Sequence, residues 1–598
     1  MQIRSATHRN YGRVEQVSTL EIAILATTDL HMQLGDDLPG GGLARIAPLI
    51  AAARERHANL LLFDNGDLLQ GTPQADEIAR AGLGPHDVHP AIAALNRLRY
   101  DAACLGNHDF TYGIAHLRRV LRDARYQLTL ANAGLTDGAP LWSDTVMLRR
   151  RMRDAQGADH MLRIGVFGVL PPQTTEWEPG LARHLQTEDV VRAAGRAVSS
   201  LRARGADLVV ALSHGGPGED AAPRAENAAA CIAALSGVDA VIAGHTHEVL
   251  VRPAAPGRAA LVMAGFGGSH LAAVTLRLRG GGGAWQITDS IAEARPATVP
   301  GCARLRATVS WLPQGTRRRL DAAICRIGTR LSSHFALLGV DHGMRLVESA
   351  MRAHAAETLP HCNLPMIFAQ APFRTGGRGG PGHYVDIPSG KLSRGDLSRI
   401  YPFGNHAAAI ELTGSEIAQW LERAAALFTH LPDAPSQTGP LIDPDMPGFQ
   451  FDVMSGVEYG VDLSRAPAFD RCGRPTGHPG RIVGLCHAGR PVARDQRFLV
   501  FTNSYRLNSG GVYETLTRGR ACLLPEPAQA RVRDIIARHL MRAAPPRGPL
   551  RPFFRLHAPP GTKVWFDTAP EADLSNCPLP VMTTERRDSG FLRLGLQF

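Results

Sequence analysis

At 598 residues the chain is too long for one hydrophobic core, and 44% hydrophobic with 20% charged residues is ordinary globular usage, which excludes a disordered or fibrous chain. The formal net charge is +10, yet no dense Lys/Arg tract with interleaved aromatics accompanies it, so no nucleic-acid partner is expected and attraction of small phosphate-bearing anions remains. Nine cysteines without a Cys-x-x-Cys pair exclude a zinc ribbon and a disulfide-dense scaffold.

Residues 1–19 read as a polar lead-in whose basic residues are not followed by an apolar h-region, so no signal peptide is expected. No apolar run approaches the ~18–20 residues that cross a bilayer, so no membrane association is expected, and no protein partner is evident. Apolar runs at Leu20 to Thr27, Leu60 to Phe63, Tyr100 to Leu105, Ile164 to Val169, Leu208 to Leu212 and Val238 to Ala243 predict buried strands. Helical patterns at Leu43 to His57, Ala91 to Leu98, Gly113 to Ala124 and Val190 to Ala203 fall between them. Strands alternating with helices predict an α/β domain over residues 20–300. It closes with two strands, Leu271 to Leu278 and Trp285 to Asp289, around a Gly280 to Gly283 turn. Leu305 to Gly328 predicts a bridging helix and an entry strand within a 301–334 linker. A second globular region, 335–598, is rich in Gly and Pro and carries an amphipathic helix at Gly414 to Phe428.

Five polar motifs stand just past the ends of the predicted strands, where α/β sheets place their active sites. They are Asp29-Leu30-His31, Gly66-Asp67, Gly106-Asn107-His108-Asp109, Ser213-His214 and Gly244-His245-Thr246-His247. The donors Asp29, His31, Asp67, Asn107, His214, His245 and His247 mix oxygen and imidazole, a set suited to two divalent ions (Mn, Zn, Co, Fe or Mg). Two such ions activate water and clamp a phosphoryl group. On an extended segment Asp29 and His31 face the same way, as do His245 and His247. Asp67 is the candidate bridge, with Gly66 admitting the backbone close to a cation. His108, and beside it Asp109, are the candidate catalytic side chains. In the second region, the Gly-rich loop Ala371 to Gly380 offers Arg374 and Arg378 to an anion, and the aromatics Phe449 and Tyr505 offer faces to a base.

These segments, with Val169-Leu170-Pro171-Pro172-Gln173, Ala371-Pro372-Phe373 and Phe451-Asp452-Val453, resemble the bacterial 2′,3′-cyclic-nucleotide 2′-phosphodiesterase/3′-nucleotidases of the 5′-nucleotidase family, from about Leu20 to the C-terminus. The resemblance implies a four-layer α/β/β/α calcineurin-like metallophosphoesterase domain, a linker helix and a smaller C-terminal nucleotide-recognition domain. It also implies that Asp29, His31, Asp67 and His247 hold one metal, and Asp67, Asn107, His214 and His245 the other. His108 would stabilise the transition state, Arg374 and Arg378 would bind nucleotide substrate, and Phe449 and Tyr505 would stack on the base. A 5′-nucleotidase or UDP-sugar hydrolase is the alternative activity, and a silent nucleotide-binding protein the remaining one. Thr111 stands where related 5′-nucleotidases carry an Asp three residues after the catalytic His. Gly510-Gly511-Val512 stands where they carry Gly-Gly-Asp, which argues against a typical 5′-nucleotidase site. The family leads to a periplasmic expectation, and the absent signal peptide to a cytoplasmic one.

Overall fold

The computed structural model describes residues 18–598 apart from 37–40, 179, 220–221, 282–283, 311, 313–314, 433–438, 445, 509–510 and 544–549. Most of the expected lead-in, half of the Gly280 to Gly283 turn and Gly510 therefore lie outside the described residues.

Two six-stranded mixed sheets form the N-terminal domain. In spatial order the first runs Ala284–Pro296, His270–Gly281, Ser18–Thr27, Leu60–Asp64, Ala102–Ala103 and Gln127–Leu128. The second runs Val249–Arg252, Ala260–Ala264, Ala240–Ala243, Leu208–Ser213, Asp159–Val169 and Thr145–Arg153. The period-2 alternation of a strand sorts the side chains. Leu208, Val210 and Leu212 join Ile22, Ile24 and Leu61 of the other sheet in one core. Val209 and Ala211 point the opposite way, against Val190, Ala194 and Val198 of the helix Val190–Ala203. Helices Leu43–Arg56 and Pro90–Leu98 bury Ile46, Ile50, Ile92 and Leu95 in the larger core. The result is the expected α/β/β/α layering. Central strands such as Leu208–Ser213 are buried along their whole length, which is why they read as unbroken apolar runs.

Local differences from the sequence reading have local causes. The Tyr100 to Leu105 run gives only the strand Ala102–Ala103, because it ends in the tight turn that delivers Asn107. The bridging segment is two short helices, Ala303–Val309 and Thr316–Leu320, followed by the strand Ala323–Ile327, and Gly315 at φ +77° caps the second helix. The strand Thr145–Arg153 escaped the pattern because its sequence, TVMLRRRMR, puts arginines on an outer face of an edge strand.

The C-terminal domain centres on a four-stranded sheet in the order Ala407–Thr413, Arg497–Asn503, Met366–Gln370, Val453–Ser455. One face carries Ile367, Ile410 and Val500 into a core with Trp420 of the helix Gly414–Ala425. The other carries Phe368, Ala409 and Phe501 toward the helices His342–Thr358 and Val532–Arg542. A capping box between Thr413 and Glu416 starts the Gly414–Ala425 helix. The C-terminal residues pack as a second sheet containing Lys563–Thr568, Val581–Arg586 and Leu592–Gln597. The domains meet through an Arg533–Asp76 ion pair and the face described next, and the bridging helix Thr316–Leu320 is held to the N-terminal domain by a 2.8 Å bond from Arg319 to Glu77.

Candidate metal centre

All seven donor residues sit at the carboxyl ends of adjacent parallel strands, gathered from both sheets. Asp29 and His31 follow Ser18–Thr27, Asp67 follows Leu60–Asp64, and Asn107 opens the turn Asn107–Phe110. His214 follows Leu208–Ser213, and His245 and His247 follow Ala240–Ala243. The connecting backbone is tied across these ends, with the Asp29 N–H donating to Gly66 O at 2.9 Å and the His31 N–H to Asp67 O at 2.8 Å.

The i, i+2 pairs do not lie on extended segments. Asp29, His31, Asp67, His245 and His247 have φ of +51°, +47°, +54°, +72° and +60°, so their carriers are left-handed turns. Side chains other than Gly enter that region at a cost of about 1–3 kcal/mol each, and such outliers gather at functional sites. The turns, not strand alternation, aim the side chains together. Gly66 also serves a different purpose from the one expected. A Cβ there would lie 2.2 Å from Gly106 N, so its absence lets the Asp67 and Asn107 loops pass each other.

The donors converge in two overlapping groups, Asp29 with His31 and His247, and Asp29 with Asp67 and His214. His31 Nε2 lies 3.0 Å from His247 Nε2 and 3.8 Å from Asp67 Oδ2, and His247 Nε2 lies 3.5 Å from Asp29 Oδ1. His214 Nε2 lies 3.2 Å from Asp67 Oδ2. Asp67 thus faces a histidine of each group. His245 Nδ1 stands 3.0 Å from Asn107 Oδ1, beside these groups. Ring nitrogens turned outward are committed to carbonyls: His31 Nδ1 to Gln70 O at 2.9 Å, and His214 Nδ1 to Asn65 O at 2.7 Å. Each must donate there, which leaves a lone pair on Nε2 aimed inward. For His214 that atom is buried, makes no hydrogen bond, and faces carboxylate. A lone pair opposite a carboxylate needs a cation between them, so the donor set fits divalent metal. Without a metal, a proton answers that demand for positive charge: burial works against a charged His214, yet Asp67 and Asp29 outweigh it and push its pKa up to about 10, and a bound cation would take the place of that proton.

His108 is half-buried at the edge of this cluster. Its ring meets His31 edge-on at 5.5 Å and stacks on Phe403 of the C-terminal domain at 6.0 Å. Burial pushes its pKa down to about 4, so it is neutral near pH 7 and presents an N–H rather than an imidazolium. Thr111 donates to Glu178 Oε1 at 2.6 Å. Burial pushes Glu178 up to about 7.

Asp109 does not face the cluster. Its Oδ2 accepts the N–H groups of Asp67 and Gly106, both at 2.9 Å, and its Oδ1 those of Leu68 and Leu69 at 3.0 and 2.9 Å. With all its acceptor capacity spent on backbone, its geometry is that of a cradle for the Asp67 loop rather than of a catalytic group.

Of the C-terminal candidates, Arg378 meets the donor loops directly. Arg378 donates to Thr246 O at 3.4 Å, hooking the Gly-rich loop onto the Gly-His-Thr-His segment. The Arg374 Nε is buried without a hydrogen-bond partner, and burial followed by the neighbouring Arg399 pushes the guanidinium down to about 10. Phe449 and Tyr505 are both half-buried and are linked through Arg506, which donates to Phe449 O and sits 5.4 Å from the Tyr505 ring. Arg506 is itself fixed by two 2.9 Å bonds to buried Asp452. Gly448 permits this loop to lie on the Gly-rich one, since a Cβ there would be 2.2 Å from Thr375 Oγ1.

Sequence reasoning missed four neighbours of the cluster. Phe403 stacks on His108, Phe266 stacks on His247 at 4.6 Å, Trp177 stacks on His245 at 5.4 Å, and Glu226 bonds His245. Trp177, four residues past the Pro-Pro-Gln stretch, had a signal; Glu226 sits in a polar loop and had none.

Comparisons with known proteins agree with this arrangement. Residues 22–249 match the calcineurin-like phosphoesterase family and residues 346–518 the 5′-nucleotidase C-terminal domain. The 2′,3′-cyclic-nucleotide 2′-phosphodiesterase/3′-nucleotidase of Yersinia enterocolitica is 33% identical over 83% of this chain and 82% of that protein. The trifunctional nucleotide phosphoesterase YfkN of Bacillus subtilis is 31% identical over 83% of this chain, which spans only 36% of YfkN. The crystal structure of a putative 5′-nucleotidase from Staphylococcus aureus shares the fold, with a TM-score of 0.68 at 20% identity over 90% of this chain and all of that one. No helix among the described residues is long and apolar enough to cross a membrane. With both family matches in chain order, a relative above 30% identity over most of both chains and an Asp/His cluster at the strand ends, the chain belongs to the bacterial 2′,3′-cyclic-nucleotide 2′-phosphodiesterase/3′-nucleotidase family of phosphoester hydrolases.

Proposed function

We propose that this chain opens 2′,3′-cyclic nucleotides to 3′-nucleotides and then hydrolyses the 3′-monoester to nucleoside and phosphate. The observation that carries the reading is the convergence of Asp29, His31, Asp67, His214 and His247 in two groups, on a chain 33% identical across most of its length to an enzyme of that name. Asp29, His31, Asp67 and His247 would hold one divalent ion, and Asp67, Asn107, His214 and His245 the second. Such ions, when bound, supply Lewis acidity to the phosphoryl oxygens and lower the pKa of an attacking water. In the first reaction water adds to phosphorus, the bond to O2′ breaks, and a proton passes to O2′; in the second the bond to O3′ breaks in the same way.

The chain's own residues hold this reaction in place. Neutral His108 donates its ring N–H to a phosphoryl oxygen that gains charge, with Phe403 setting the ring plane. Asp109 fixes the loop that carries Asp67 and takes no part in proton transfer. Arg374 and Arg378 neutralise the phosphate. Phe449 and Tyr505 take the base between them, a sequence-tolerant mode because every base has an aromatic face. A panel of 2′,3′-cyclic AMP, 3′-AMP, 5′-AMP and a UDP-sugar, assayed with Mn2+, tests the proposal. Turnover of the first two is expected; turnover confined to 5′-AMP or the UDP-sugar would keep the chemistry and overturn the substrate.

A further inference from the structure

We propose that Glu226 is the positioning residue for the His245 ligand, selecting its tautomer and holding its ring for one of the two metals. The inference rests on the two-metal reading above and adds a residue to it. His245 Nδ1 faces Asn107 Oδ1, the other donor assigned to that metal, at 3.0 Å. A nitrogen that serves as a ligand carries no proton, so the proton resides on Nε2. Nε2 lies 2.9 Å from Glu226 Oε1, to which it donates. A carboxylate behind a metal-bound imidazole fixes the tautomer and raises the basicity of the ligand nitrogen.

The other two inward-facing histidines with a fixed tautomer use backbone carbonyls for this purpose, Gln70 O for His31 and Asn65 O for His214. His245 is the one among these three with a side-chain acceptor. Its ring is also stacked on Trp177 with planes 13° apart, so both the plane and the rotation about it are set. Glu226 in turn stands on a fixed base. The next residue, Asn227, accepts the Gly216 N–H at 2.7 Å, and Ala229 donates to Gly216 O at 3.1 Å. The segment is therefore tied to the loop that leaves His214, and the two ligands of the same metal share one support. Glu226 touches no assigned donor other than His245, which makes its effect specific to one metal.

The test is equilibrium dialysis of the full chain against graded Mn2+, with bound metal measured directly, for the parent, Glu226→Ala and Glu226→Gln. Glu226→Ala is expected to weaken one of the two binding constants by about 10- to 100-fold and to leave the other within about threefold. Glu226→Gln keeps an oxygen acceptor and is expected to fall between. On a His245→Ala background, Glu226→Ala is expected to change neither constant further. Binding of both ions by Glu226→Ala within about twofold of the parent would overturn the inference, as would an equal loss at both sites in a variant that unfolds at the parent temperature. Should Glu226→Ala fail to fold, Glu226→Gln decides alone: a selective loss at one site supports the inference and parent-like binding overturns it. A parent that binds fewer than two ions overturns the two-metal reading itself, a result distinct from all of these.

Discussion

Asp109→Asn separates a cradle from a catalyst. The carboxylate accepts four backbone N–H groups, two on each oxygen, all between 2.9 and 3.0 Å and all buried. An amide offers one oxygen with two acceptor positions, and its NH2 has nothing but donors to face. At least two of the four bonds are lost. Hydrogen bonds to a charged group contribute about 1.5–3 kcal/mol each, so the loss is roughly 3–6 kcal/mol. For a domain of this size each kcal/mol moves the midpoint by about 2–4 °C, which gives a fall on the order of 10 °C or more. The Asp67 loop is what comes loose, so bound metal falls together with stability. The assay pairs thermal unfolding with metal content and kcat, and activity lost should return in part at high Mn2+. A variant that unfolds at the parent temperature with two metals bound, yet has lost activity about 100-fold, would refute the cradle and return Asp109 to proton transfer.

Three further outcomes follow from the same contacts. Burial pushes Asp64 up to about 8, against a 2.6 Å bond from Thr27, so the folded state keeps a proton that the unfolded chain has released above its ordinary value. The stability this supplies is complete below about pH 4 and is lost as pH rises toward 8, by up to about 1.4 kcal/mol per unit. Asp64→Asn should therefore gain on the parent in unfolding temperature as pH rises through that window, and parallel profiles would contradict the assignment. Chelation should lower the unfolding temperature by on the order of 10 °C, since each site at about 100-fold excess of ion over Kd contributes about 2.7 kcal/mol, and added Mn2+ should restore it. Phe449→Ala and Tyr505→Ala should each cost about 1–3 kcal/mol of nucleotide binding, seen as a raised KM for 2′,3′-cyclic AMP with hydrolysis of a base-free phosphodiester unchanged. An equal loss on both substrates would place the aromatics outside base recognition.

The N-terminal fold was legible because its central strands are buried on both faces and its helices on one, which writes two different periods into the sequence. The edge strand Thr145–Arg153 broke the pattern because its outer face is free to carry arginines. The donor set was legible as residue types at strand ends, but not its geometry, since nothing in Asp-x-His or His-x-His announces a left-handed turn. Asp109 shows the limit of adjacency. It neighbours His108 in sequence, yet the tight Asn107–Phe110 turn points its carboxylate back at the Asp67 loop. Glu226 and Phe403 reach the site only through tertiary contacts, from a polar loop and from the other domain, and no local pattern marks either.

Phosphorus NMR of 2′,3′-cyclic AMP in the presence of Mn2+ and the purified chain follows both hydrolytic steps in one sample. 3′-AMP is expected to appear first, without 2′-AMP, and then to give way to inorganic phosphate and adenosine, with both steps abolished by Asp67→Asn. Persistence of the cyclic substrate alongside brisk hydrolysis of 5′-AMP would contradict the proposed activity.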